Sequence, residues 1–119
     1  MNPEKNGRTP CVQTVTGPAS ALGHAQCHEH IYLRKGPSYE CNHALCMDDY
    51  DKSLRELQNY YAHGGRTIVD AQPGFFGRDA EILRRLSVQS GVQIVAVTGF
   101  HKLQFMEEGS PLPKLSREE

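Results

Sequence analysis

Arg66-Thr67-Ile68-Val69-Asp70-Ala71, then Gly77-Arg78-Asp79-Ala80-Glu81-Ile82-Leu83-Arg84-Arg85-Leu86, then Gln93-Ile94-Val95-Ala96-Val97-Thr98 decide the fold of this chain. The first run is β-branched and too brief for a helix. In the second, Arg78 to Ser90, Ile82, Leu83 and Leu86 fall on one helical face, Glu81 and Arg85 form an outward i,i+4 pair, and Gly91 supplies the stop. The third run is more continuously apolar, as expected of a strand covered on both faces. Strand, helix, strand joined by short loops is a βαβ unit, and βαβ units build parallel sheets.

The same alternation extends upstream. Asp48-Asp49 suits the positive end of a helix, and Leu54, Leu57, Tyr60 and Tyr61 follow at helical spacing until Gly64-Gly65. His24 to Tyr32 reads as a strand and its exit, Lys35 to Met47 as a loop, and Cys11 to Thr16 as a short β-like alternation broken at Gly17-Pro18. Residues 1–10 are expected to be a flexible leader, 11–105 the folded unit, and 106–119 a polar tail or truncated loop.

At 119 residues and 13.3 kDa the chain has the size of one small domain, with 13 Lys and Arg against 14 Asp and Glu. A net charge of −1 argues against a nucleic-acid binder, which must neutralise many phosphates. No apolar run approaches the roughly 18 residues of a membrane span, and residues 1–10 lack a signal-peptide core. The expected setting is therefore cytoplasmic, with no nucleic-acid or membrane partner. There, Cys11, Cys27, Cys41 and Cys46 read as free thiols or metal ligands before disulfides.

Ligands of parallel sheets sit at the carboxyl ends of the strands. Three such ends fall at Cys27 to Tyr32, Asp70 to Gly74, and Thr98 to Lys102. The first carries His28-Glu29-His30, where i and i+2 on a strand face one side, so both imidazoles can reach one metal ion. A competing reading draws a structural zinc site from Cys27, His28, His30, Cys41, His43 and Cys46, although Cys41-x4-Cys46 exceeds the usual knuckle spacing. Asp70 is placed either to orient a ligand histidine or to hold the turn before Pro73. His101 and Lys102 either line a pocket or are solvated. His24, His43 and His63 read as structural or surface residues.

Gln13-Thr-Val-Thr-Gly-Pro18, Leu22-Gly23, His28-Glu-His-Ile31, Gly65-Arg-Thr-Ile-Val-Asp70, Gly77-Arg-Asp79 and Val95-Ala-Val-Thr-Gly-Phe100 together resemble, in order and spacing, the phosphotriesterase family of the amidohydrolase superfamily. The resemblance runs from about Val12 to Lys102. It implies a (β/α)8 barrel with a two-metal centre at its carboxyl-end face. The expected fold is the N-terminal part of such a barrel: a hairpin, about three parallel strands and two intervening helices. His28 and His30 match the paired histidines that bind the more buried metal, a divalent ion with zinc first among the candidates. Phe100 and His101 match the loop that shapes the substrate pocket.

A barrel takes about 250 residues, so this length supplies about three of eight βα units. The family's bridging lysine, later histidines and catalytic aspartate belong to strands beyond the third, and Lys102 cannot stand for that lysine. The resemblance thus implies the N-terminal portion of a metal-dependent hydrolase acting on a small phosphotriester, lactone or other ester. Alone it is expected to be marginally folded and inactive, and open to a missing barrel half or a second copy as partner. The alternatives are the Cys/His zinc-binding interaction module and a non-catalytic α/β fragment that complements a partner.

Overall fold

The computed structural model describes residues 9–109. The expected leader therefore lies almost wholly outside the described residues, as does the tail beyond 109. The chain begins with an antiparallel hairpin, β1 (Val12–Thr14) and β2 (Gly17–Ala19). Gly17-Pro18, which the sequence suggests as a break, is the start of the returning strand.

Three parallel strands follow: β3 (His24–Glu29), β4 (Gly65–Asp70) and β5 (Gln93–Ala96), in the spatial order β3-β4-β5. The stretch expected as a loop holds one short helix, α1 (Pro37–Cys41), started by a proline that needs no donor in the first turn. Helix α2 (Tyr50–Ala62) crosses from β3 to β4, and α3 (Ala80–Ser90) crosses from β4 to β5. Both start on an aspartate: Asp49 accepts from the Lys52 N–H, and Asp79 from the Ile82 N–H. The second helix thus starts two residues later than its apolar spacing suggests, because Asp79 serves as its cap. It ends at Gly91, whose φ of 78° is open to glycine at little cost.

In-register partners Ile68 and Ile94 join Leu57, Leu83, Leu86 and Val92 in one core between the sheet and the helices. Thr67, Val69, Gln93 and Val95 alternate onto the other face. There Val95 stays partly exposed, so β5 is covered on one face within the described residues, not on both. At the amino ends of the strands the hairpin closes the layer. The Val15 N–H donates to the Ile94 carbonyl at 2.9 Å, and Gln93 Nε2 donates to the Ala21 carbonyl at 2.9 Å. Gly65 lets β4 run close under α2, since a Cβ there would collide with the ring of Tyr60. The Tyr60 hydroxyl sits 2.9 Å from the Thr67 carbonyl and 3.0 Å from that of His24, tying α2 to both strands.

The expected Glu81–Arg85 pair does not form. Glu81 takes two hydrogen bonds from Arg84 instead, at 2.8 and 2.9 Å, while Arg85 lies 5.0 Å over the ring of Tyr50. The α2–α3 contact gives Arg85 an aromatic face that a lone helix lacks.

Met106 is buried, and Glu107 accepts from the Gly77 N–H at 3.1 Å and lies 3.5 Å from Arg34. The head of the stretch read as a tail is thereby held against the loop after β4. Among the described residues no helix is long and apolar enough to cross a membrane.

Candidate metal centre at the carboxyl ends of the strands

The ladder between β3 and β4 slips by one residue: Gln26 pairs with Ile68, but Glu29 pairs with Asp70. The extra residue is a bulge at Cys27-His28, a device that re-aims side chains at strand ends. There the rings of His28 and His30 come together, 5.5 Å between centroids and at 74°. The two imidazoles expected to act as a pair are thus neighbours at one point of the strand mouth.

His30 is held from the second strand. Its Nδ1 lies 2.8 Å from Gln72 Oε1, and the amide nitrogen of Gln72 donates to the Phe76 carbonyl. Gln72 itself is fully buried. Its N–H donates to Asp70 Oδ1 at 2.9 Å, and its carbonyl accepts from Arg78 Nη1 at 3.3 Å. The same Arg78 nitrogen donates to the Val97 carbonyl at 2.6 Å, beyond β5, so one guanidinium binds the exits of two strands.

Of the two roles open to Asp70, the geometry assigns the turn: its oxygen accepts the N–H two residues on, as aspartates do before a proline loop. The residue that reaches a histidine is Gln72. Its sequence signal was faint, because a glutamine after a strand carries no motif.

Asp70 is fully buried, and its Oδ2 has no partner among the described residues. Burial pushes its carboxyl above the usual range, against the opposing pull of the Gln72 N–H, His30 and Arg78. The folded chain therefore holds this proton more tightly than the unfolded chain. The stability it contributes is full below the unfolded value of 3.8 and declines as the pH rises through the folded value. Asp70→Asn is expected to remove that decline. Unfolding midpoints of the metal-free chain against pH should converge or cross for the two proteins in the acid range, and parallel curves would refute the assignment.

His101 stacks on Phe76 at 4.5 Å and 8°, and lies 5.0 Å from the ring of Phe105. Its Nδ1 accepts the Lys102 N–H at 2.8 Å. The loop after β5 is thereby coupled through Phe76 to the loop that fixes Gln72. Phe100 is half exposed and Lys102 is exposed.

The cysteine-based zinc reading is not assembled. Among the described residues no three His, Cys, Asp or Glu side chains converge on one metal position, and Cys11, Cys27 and Cys41 are exposed free thiols. His43 stacks on Tyr39 at 4.6 Å, and His63 bonds the Asn59 carbonyl at the end of α2. Two imidazoles 5.5 Å apart are donors of the kind a divalent ion takes, and the described residues add no third.

A hollow of about 360 Å³ opens beside His30, lined by Leu33, Met47, Gln72 and Phe76. A larger groove of about 820 Å³ runs between β3 and α2, past Gln26, Met47, Lys52 and Leu57.

A hairpin followed by three parallel strands joined by helices is the architecture of the N-terminal part of a (β/α)8 barrel. The chain belongs to the phosphotriesterase family, whose sequence profile matches residues 10–113. A phospho-furanose lactonase of Mycoplasmopsis agalactiae is 36% identical over 105 residues, which are 83% of this chain and 29% of that protein. One from Mycoplasmopsis synoviae is 33% identical over 82% of this chain and 29% of its own length.

Among solved structures, an amidohydrolase from Mycoplasma synoviae superposes with a TM-score of 0.76 at 30% identity, over 86% of this chain and 30% of that one. A lactonase from Listeria monocytogenes superposes with a TM-score of 0.71 at 33% identity, over 79% of this chain and 30% of that one. The chain thus spans about 30% of the length of the relatives it matches.

Proposed function

We propose that these residues carry the first metal-holding pair of a metal-dependent lactonase, His28 and His30, and that Phe100 and His101 border its substrate pocket. The carrying observation is the pairing of the two rings at the carboxyl end of β3, with His30 locked from β4. Two imidazoles suit zinc among the divalent ions, in a centre that holds a second metal when the remaining ligands are in place. A bound divalent ion supplies Lewis acidity at the substrate carbonyl and a water acidic enough to attack near neutral pH.

The chain's own contribution is positional. His28 and His30 fix where the ion sits, Gln72 fixes the ring of His30, and the Phe76–His101–Phe105 stack sets the wall beside it. A lactone is favoured over a phosphotriester because both lactonase relatives exceed 30% identity. With two donors, residues 1–119 alone should turn over no substrate.

The test is a chimera in which residues 10–113 replace the matching segment of the M. agalactiae lactonase. Metal-dependent hydrolysis of a phosphorylated furanose lactone is expected, lost on His28→Asn with His30→Asn. A folded, metal-loaded chimera that hydrolyses a phosphotriester but no lactone would overturn the substrate reading.

A further inference from the structure

The hydrogen-bond chain around Gln72 determines which nitrogen of His30 can bind a metal. The Phe76 carbonyl can only accept, so the amide nitrogen of Gln72 must face it. That leaves Oε1 toward His30, and an amide oxygen also only accepts. The proton of the neutral ring therefore sits on Nδ1, and the lone pair is left on Nε2. Asp70 Oδ1 and Arg78 Nη1 hold the backbone of Gln72 at its N–H and its carbonyl. Turning the buried amide over would set Oε1 against the Phe76 carbonyl, acceptor against acceptor. His28 has no such partner among the hydrogen bonds of the described residues.

We infer that Gln72 is a positioning residue that fixes His30 in the Nδ1–H form and presents its Nε2 to the metal. The inference rests on the metal-centre reading above. Hydrogen-bonded partners of this kind orient a ligand ring, and their loss typically weakens metal affinity by about 10–100-fold.

The test follows the imidazole 15N resonances of the metal-free 119-residue chain near pH 8.5, about two units above the unperturbed imidazole value. Zinc affinity is then measured by calorimetry on the same samples. His30 should show the Nδ1–H form alone and His28 a mixture. Gln72→Met should turn His30 into a mixture, leave the His28 signals in place, and lower zinc affinity about 10–100-fold.

A mixture at His30 in the unmutated chain overturns the role of Gln72, even if zinc binds, and needs no variant to fold. A single Nδ1–H form in a chain that binds no zinc leaves the hydrogen bond standing. That outcome overturns the metal-centre reading, and the positioning role with it.

Discussion

Alanine at both His28 and His30 is expected to reduce zinc binding by the chain to background in equilibrium dialysis, the largest functional effect of any substitution in this structure. Each ring supplies one donor, and the pair binds because both are already side by side, 5.5 Å apart. Removing one leaves a single imidazole, which has no chelate advantage over any exposed histidine.

The single variants separate by stability. His30→Ala strands the buried Oε1 of Gln72, a loss of about 1–3 kcal/mol. His28→Ala removes an exposed ring and should leave the unfolding midpoint in place. Cys41→Ser with Cys46→Ser should bind zinc as well as the unmutated chain. The opposite pattern, with binding lost at the cysteines and kept without the histidines, would move the metal site to the loop between β3 and α2.

Leu86→Ala should unfold most of the chain at room temperature. Leu86 is 0% exposed and meets Leu83, Val92 and Ile94, also 0% exposed, in the core between the sheet and the helices. Truncating such a leucine costs about 2–5 kcal/mol. A domain of this size holds about 5–15 kcal/mol in total. Here the margin is thinner, because β3 and β5 are edge strands and one sheet face is partly open. Val88→Ala, on the same helix but 63% exposed, should stay within about 0.5 kcal/mol. Urea titrations followed by circular dichroism read both. A Leu86→Ala chain as stable as the Val88→Ala chain would mean that the core is not where the fold is held.

Which parts of the fold were legible follows from how local their causes are. Ile82, Leu83 and Leu86 mark the α3 face through the helical period alone, and Asp49, Gly64 and Gly91 punctuate by local hydrogen bonding and glycine φ. The α1 turn escaped because five residues give no period. The partner of Glu81 was missed because the choice between Arg84 and Arg85 depends on Tyr50, thirty-one residues away in the chain.

The sequence by itself determined the order of strands and helices, the parallel sheet, and the two histidines spaced for one ion, because each rests on periods and turns of a few residues. Only the tertiary structure decided that a bulge brings those rings together and that Gln72, not Asp70, reaches His30. It alone set His101 into an aromatic stack beneath the same loop. These contacts join residues more than twenty positions apart, and their geometry exists only once the parallel strands are laid side by side.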